Sequence, residues 1–221
     1  MADEHEHEHD HAHAGHDHEH DHSHEGHDHD HDSDPVEGVE LTEEQLERRN
    51  EQIRRQALTQ IRQYPDVALR MKAKEVTQFD EFLMQLVERM IHLMGDAQGV
   101  GLAATQLGIL QRIFVFDHEE QGAQAVVNPR IVDPSADKET DEEGCLSLER
   151  VRVPVERSTK VTVEGVNPGG EEVRFELEGL AARVVQHEVD HLDGLLIIDR
   201  TDDEHRKQAL GLLRPQAVLR S

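Results

Sequence analysis

The residues with the clearest chemical potential lie in the run 187–191, HEVDH. Two histidines four positions apart share one face of an α-helix, so both imidazoles can reach the same metal ion. Glu188 follows the first histidine directly, where it can hold a water molecule beside that ion. The apolar neighbours Val184, Val185 and Leu192 argue against a surface helix with chance histidines. The run therefore predicts a catalytic metal site on a helix.

Two histidines leave such a site incomplete, because a catalytic metal usually has three protein ligands and one open position. The peptidase spacing that uses a third histidine would place it at position 197, where the chain has Ile197. A downstream carboxylate such as Glu204 is another candidate, although its surroundings are typical of an exposed helix start. The favoured candidate is Cys145, the only cysteine, in the run 143–147, EGCLS. A thiolate is a strong ligand for zinc or iron.

A third run, 99–106 (GVGLAATQ), is rich in small residues. It lacks the Lys-Ser/Thr ending of a phosphate-binding loop, and it follows a predicted helix, whereas such loops follow a strand. Glycines here favour a close approach of the backbone to a peptide-like substrate. Gln106 would then offer a neutral amide donor to an oxyanion that develops during the reaction.

In this order, the three runs are highly specific, and from about Tyr64 to Arg200 the chain resembles the peptide deformylase family. One departure is Thr105, where the family usually has proline. That change alters a loop residue next to Gln106 without removing a chemical group. The resemblance does not extend to residues 1–34.

The resemblance implies a metal-dependent hydrolase that removes the formyl group from N-formyl-methionyl nascent peptides and releases formate. It implies three metal ligands, Cys145, His187 and His191. It gives Glu188 the role of moving the proton, and it gives oxyanion stabilisation to Gln106 and the backbone N–H of Leu146. Iron(II) is the family's usual ion, and zinc, nickel or cobalt can replace it. Ribosome contact near the exit tunnel, a monomeric state and a cytoplasmic location are further expectations.

The methionine side chain of such a substrate needs an apolar pocket. The candidates are Val100, Leu180 and Val184, for which plain core packing is nearly as good an explanation. The segment 99–102, which includes Gly101, is expected to pair with the substrate backbone as an added strand.

Two other functions remain open at this point. One is a metallopeptidase that cleaves internal peptide bonds, and the other is a metal carrier whose working part is the N-terminal segment. Intact Gln106, Glu188 and ligand residues argue against a domain that has lost its activity.

Composition narrows the function classes further. The 221 residues include 48 acidic and 23 basic side chains, a net charge of −25 that argues against DNA or RNA binding. No apolar run approaches the length of about 18 residues that a membrane span requires. A single cysteine allows no internal disulfide and fits a reducing compartment.

Much of this charge comes from residues 1–34, which hold 13 of the 18 histidines, 13 acidic residues and no lysine or arginine. This segment has almost no apolar content, so it is predicted to be disordered. It has neither the layout of a signal peptide nor that of a transit peptide. It is either an arm that collects metal ions or an inert polar tail.

Hydrophobic periodicity predicts an α+β fold, in which antiparallel strands pack around a central helix that bears the HEVDH run. Helices are predicted at about 42–61, 79–94, 180–192 and 202–213. The apolar stripe of the second, from Phe79 to Met94, is expected to face the core, and Gly95 to end it. Strands are predicted at 112–117, 123–128, 159–166 and 172–178. The proposed division is a tail (1–34), an extension with a helix (35–63), the metallohydrolase domain (64–200) and a C-terminal helix or tail (201–221).

Overall fold

The computed structural model describes residues 41–213, which belong to one compact unit. The predicted disorder of residues 1–34 and the end of the predicted C-terminal segment lie outside the described residues. The α-helices are α1 (Glu43–Leu58), α2 (Glu81–Asp96), α3 (Gly179–Leu192) and α4 (Asp203–Leu212). Short 3-10 helices cover Val67–Arg70, Ala104–Leu107 and Ile197–Asp199. The strands are β1 (Gly101–Ala103), β2 (Ile113–His118), β3 (Gly122–Val132), β4 (Lys138–Cys145), β5 (Leu148–Ser158), β6 (Lys160–Val166) and β7 (Glu172–Glu178).

All strand pairs are antiparallel and form two sheets. A five-stranded sheet has the order β1-β2-β3-β6-β7, and β4 pairs with β5 in a separate hairpin. The combination of antiparallel sheets and helices confirms the coarse α+β prediction. Two of the predicted strands form a hairpin, since β6 pairs with β7 from Lys160↔Glu178 to Val166↔Glu172.

The five-stranded sheet lies between two helices, and β2 shows how its residues divide between them. Ile113 and Val115 pack in a cluster with the buried face of α2, whereas Phe114 and Phe116 pack with Ala182, Val185 and Leu192 of α3. Successive side chains of a strand point to opposite faces, so both sets can be apolar and buried. This arrangement holds α3 against one face of the sheet.

The hairpin β4–β5 has its own apolar cluster against the C-terminal part of the described chain. Its buried members include Val151, Val153 and Val155 of β5 and Ile197, Ile198 and Ala209 after α3. Because Cys145 ends β4, this packing sets the position of the cysteine relative to α3.

Helix α2 corrects two expectations. Phe79 precedes the helix and is 41% exposed, and Phe82 lies in its first turn and is 79% exposed. The prediction that both residues face the core is therefore wrong. The buried face consists of Leu83, Val87, Met90, Leu93 and Met94. Phe82 is rotated about 100° away from Leu83, because an α-helix has 3.6 residues per turn. Gly95 does not end the helix, which continues to Asp96; an internal glycine costs only about 1 kcal/mol relative to alanine.

Helix α1 begins with a capping box. The Gln45 backbone N–H donates to the Thr42 hydroxyl over 3.3 Å, and the Thr42 N–H donates to the Gln45 side chain over 2.9 Å. Ala57 is its only buried residue, which agrees with a surface helix. None of the helices among residues 41–213 has the length and apolar character needed to cross a membrane.

Candidate metal centre

Three side chains from two elements converge beside the five-stranded sheet. The Cys145 sulfur and one ring nitrogen each of His187 and His191 all lie within 4.8 Å of one another. Cys145 Sγ is 3.3 Å from His191 Nε2, and the two imidazole centroids are 4.9 Å apart. One thiolate and two imidazoles suit zinc or iron, so the donor set fits the divalent ion that the sequence predicts.

The other candidates for a third ligand lie elsewhere. Glu204 is exposed in the first turn of α4 and does not belong to this group. Ile197 is 2% exposed and packs in the cluster against β5. The structure thus brings together the cysteine and the two histidines and leaves Glu204 apart.

Glu143 holds the first histidine in place. His187 Nδ1 is 3.0 Å from Glu143 Oε2, so an ionised Glu143 accepts the Nδ1 proton and leaves Nε2 to face the centre. Burial alone would raise the pKa of Glu143, but the hydrogen bonds and charges of His187 and Arg157 outweigh it and lower the pKa to about 2. The carboxylate is therefore ionised at neutral pH.

The pKa of His187 reflects the same surroundings. Burial alone would lower it, but hydrogen bonds to Cys145 and Glu143 outweigh burial, so the pKa is raised well above its usual value. The pKa of His191, in contrast, is lowered well below its usual value by burial and by the charge of His187. The anionic neighbours thus favour a positive charge at His187, and a cation at the centre would replace the proton there.

A buried network of charges supports this arrangement. Arg157 donates two hydrogen bonds to Glu143, at 2.9 and 3.0 Å, and one to Asp190, at 2.5 Å. Arg183 also donates to Glu143 over 2.9 Å, and Arg200 donates to Asp190. The network ties β4 and β5 to α3, and hence Cys145 to the histidines. We did not predict these roles, although Glu143 and Asp190 both lie inside the runs quoted above.

Glu188 is buried next to the centre without a partner. Its side chain is 3% exposed, and its Oε2 has no hydrogen-bond partner among residues 41–213. Burial raises the pKa of Glu188 to about 7, against the opposing charge of His187. A buried, unpartnered carboxyl group is costly unless a cation or a water molecule pairs with it, so this orphan oxygen supports a site built to hold both.

The glycine-rich run passes directly over Glu188. A Cβ atom on Gly101 would overlap Glu188 Oε1 and would lie 2.9 Å from Glu188 Cδ and 2.8 Å from Val184 Cγ1. Only glycine permits this approach of β1 to α3. The run therefore lies beside the residues of the centre, as a substrate-binding segment requires.

The side-chain amide of Gln106 lies close to the ligand Cys145. Its Oε1 accepts a hydrogen bond from the Ala103 backbone over 2.8 Å, so its Nε2 faces Ser147 Oγ at 3.2 Å and Cys145 Sγ at 3.9 Å. Gln106 is 2% exposed. Its amide donor is thereby fixed beside the metal ligands.

Leu146 and Thr105 flank the same region. The Leu146 carbonyl accepts a hydrogen bond from Gln63 Nε2 over 2.9 Å, which holds the Leu146–Ser147 peptide in place. The Thr105 hydroxyl donates to the His191 carbonyl over 3.2 Å and thus links the loop to the end of α3. This contact gives a structural role to the residue that departs from the family pattern.

The three residues predicted to line the substrate pocket do not all lie in one cavity. Val100 is 48% exposed and lines a cavity of about 350 Å³ together with Cys145 and Leu146. Val184 is buried beside Glu188. Leu180 is 61% exposed and lines a different cavity of about 110 Å³ with Arg183, so it does not share the cavity of Val100.

Comparison with known proteins decides the family. The family model described as polypeptide deformylase matches residues 58–207. The chain belongs to the peptide deformylase family. Its members hydrolyse the formyl group from N-formyl-methionyl peptides, and the chain is an enzyme of this kind, as the resemblance predicts.

Individual deformylases match over most of their length. A peptide deformylase of Thermotoga maritima is 51% identical over 146 residues, which are 66% of this chain and 88% of the relative. One of Natranaerobius thermophilus is 45% identical over 152 residues, 69% of this chain and 97% of the relative. The crystal structure of the Thermotoga maritima enzyme has a TM-score of 0.62 at 52% identity and covers 64% of this chain and 96% of its own.

Proposed function

We propose that the chain removes the N-formyl group of formyl-methionyl peptides at the centre formed by Cys145, His187 and His191. The observation that carries this proposal is the convergence of these three donors beside Glu188, whose buried Oε2 has no partner among the described residues. A divalent cation held there supplies Lewis-acid activation of a water molecule. We propose Fe²⁺ as the native ion; the donor set also accepts Zn²⁺, Ni²⁺ and Co²⁺.

Glu188 is the residue that moves the proton. It accepts a proton from the attacking water and later delivers it to the amine that leaves, so that the C–N bond breaks and formate is released. A pKa raised to about 7 by burial supports this role, because a carboxyl group near neutrality can both accept and return a proton.

The developing oxyanion needs donors that are already in place. Gln106 Nε2 and the backbone N–H of Leu146 fill this role on either side of Cys145. The fixed orientation of the Gln106 amide supports the assignment, because its oxygen is already held by the Ala103 N–H. Such donors act without reorganisation when negative charge appears on the substrate oxygen.

The substrate side chain and backbone are bound by the glycine-rich run. Val100 and Val184 line the pocket for the methionine side chain, and the backbone around Gly101 pairs with the peptide as an added strand. Leu180, also predicted for the pocket, is the weakest of these residues because it lines another cavity.

The remaining expectations are part of the same proposal. The substrates are nascent chains, met in the cytoplasm near the ribosomal exit tunnel by a monomeric enzyme. The C-terminal segment carries Arg206 and Lys207 on α4, which permit such a contact with the ribosome. The division at residues 34, 63 and 200 also stays a prediction.

The experiment is a comparison of three amidated substrates with the full chain loaded with Fe²⁺ without oxygen. Formate release is measured from formyl-Met-Ala-Ser, and new amines are measured from acetyl-Met-Ala-Ser and from a blocked heptapeptide. We expect turnover of the formyl peptide only. Cleavage of internal bonds in the heptapeptide would instead identify a metallopeptidase.

A further inference from the structure

We infer that the cavity beside the metal centre selects peptides with acidic side chains after the formyl-methionine, through Arg54, Arg150 and Arg152. The inference rests on the proposed function and names a substrate preference for the same site. The cavity has a volume of about 350 Å³. The ligand Cys145 is part of its lining, so the cavity opens from the reacting centre.

The walls of the cavity lead away from that centre. One wall is formed by residues 97–100, which precede Gly101, and the other by residues 144–146 and 148–152. Arg54 and Leu58 of α1 complete the lining. We infer that a peptide whose formyl end lies at Glu188 runs between these walls, where an extended chain advances about 3.3–3.6 Å per residue.

The lining is strongly basic in an otherwise acidic protein. Its charged side chains are three arginines and Glu149, a formal sum of +2, whereas the whole chain carries −25. Among residues 41–213, none of the three arginines has an ion-pair partner. Arg48 and Arg55 on the same helix α1, in contrast, pair with Glu44 and Glu51. The cavity arginines are therefore available to a carboxylate of the substrate.

Arg54 lines the cavity from outside the region that matches the family model. The match to the family model begins at residue 58. Helix α1 is held near the cavity because its Ala57 packs in one cluster with the buried residues of α2. Arg150 adopts a positive φ of 68° near the start of β5. A left-handed conformation is unfavourable for arginine, which agrees with a functional position.

The test measures kcat/KM on amidated tetrapeptides, with the full chain loaded with Fe²⁺. The parent is formyl-Met-Ala-Ala-Ala amide, and each alanine is replaced in turn by Asp or by Lys. We expect Asp to be preferred over Lys by about 2- to 5-fold at one or more positions, which lies within the range for exposed ion pairs. The preference should shrink at 1 M salt, where the screening length is only about 3 Å.

The second part of the experiment reverses the charge of single cavity arginines. Arg54→Glu and Arg152→Glu should each remove or invert the preference, whereas Arg49→Glu is the matched control. Arg49 lies on α1, is exposed and does not line the cavity, but its replacement changes the net charge equally.

Two results would overturn the inference. Equal kcat/KM for the Asp and Lys peptides in the unmodified enzyme would contradict it while leaving deformylation intact. An effect of Arg49→Glu as large as that of the cavity variants would show that only overall charge matters. Absence of turnover with every formyl peptide, the parent included, would contradict the proposed function itself.

Discussion

The backbone of Gly101 passes Glu188 so closely that no side chain fits between them. A Cβ on this glycine would lie 2.9 Å from Glu188 Cδ. The strand that is proposed to bind the substrate and the residue that is proposed to move the proton are therefore in direct contact. A displacement of one must move the other.

We predict that Gly101→Ala lowers kcat/KM for formyl-Met-Ala-Ser by about 100-fold, the effect of a displacement near 1 Å in an active site. The protein should still fold and bind its ion, because the ligands are untouched. Gly95→Ala is the control: a Cβ there meets nothing within 4 Å, and alanine should stabilise α2 by about 0.5–1 kcal/mol without loss of activity. Full activity of Gly101→Ala would show that the approach of β1 to Glu188 does not matter.

We predict that Glu143→Gln weakens metal binding by about 10- to 100-fold, because it removes the anionic acceptor that orients His187. It also leaves Arg157 with Asp190 as its only buried carboxylate partner among the described residues, which should lower the unfolding free energy by about 1.5–3 kcal/mol. Competition with a chelator measures the first effect, and denaturant unfolding measures the second. Glu142→Gln, an exposed neighbour on β4, should change neither value. Unchanged metal affinity in Glu143→Gln would remove the carboxylate from its positioning role.

We predict that Gln106→Leu lowers kcat by about 100- to 1,000-fold, the cost of one lost oxyanion donor. KM should change much less, because the donor acts mainly on the transition state. Steady-state formate release measures both constants. A loss confined to KM would indicate that Gln106 binds the ground state of the substrate instead.

We predict that Thr105→Val destabilises the protein by about 0.5–1.5 kcal/mol, the worth of one hydrogen bond. The valine keeps the shape of the side chain but loses the hydroxyl that donates to the His191 carbonyl. The melting temperature should fall by a few degrees while kcat is retained. An unchanged melting temperature would mean that this hydrogen bond contributes nothing to stability.

The sequence predicts the long elements well where periodicity is strong. Helix α3 and strand β7 begin and end within one residue of the prediction. Strands β1, β4 and β5 are missed for physical reasons. Strand β1 has only three residues, and β4 is exposed almost throughout, so its pairing with β5 and not an apolar pattern makes it a strand. In β5 the alternation of Val151, Val153 and Val155 was a usable signal, but it is interrupted by Pro154.

At the metal centre, too, some features can be predicted from the sequence and others cannot. The residues that could act chemically are recognisable by type and spacing, as His187, His191 and Cys145 demonstrate. Their supporting partners are not, because Arg157 meets Glu143 and Asp190 only after β4, β5 and α3 pack together. The separate position of Leu180 likewise depends on which way the first turn of α3 faces.

The most direct test of the account combines metal binding with activity in Glu188→Ala. The protein is loaded with Co²⁺, whose thiolate-to-metal charge-transfer absorption reports on Cys145 and cannot arise from the histidine-rich residues 1–34. We predict that Glu188→Ala keeps this absorption at full intensity and loses formate release almost entirely, while Cys145→Ala loses the absorption. Full deformylase activity in Glu188→Ala would contradict the central claim that Glu188 moves the proton at this centre.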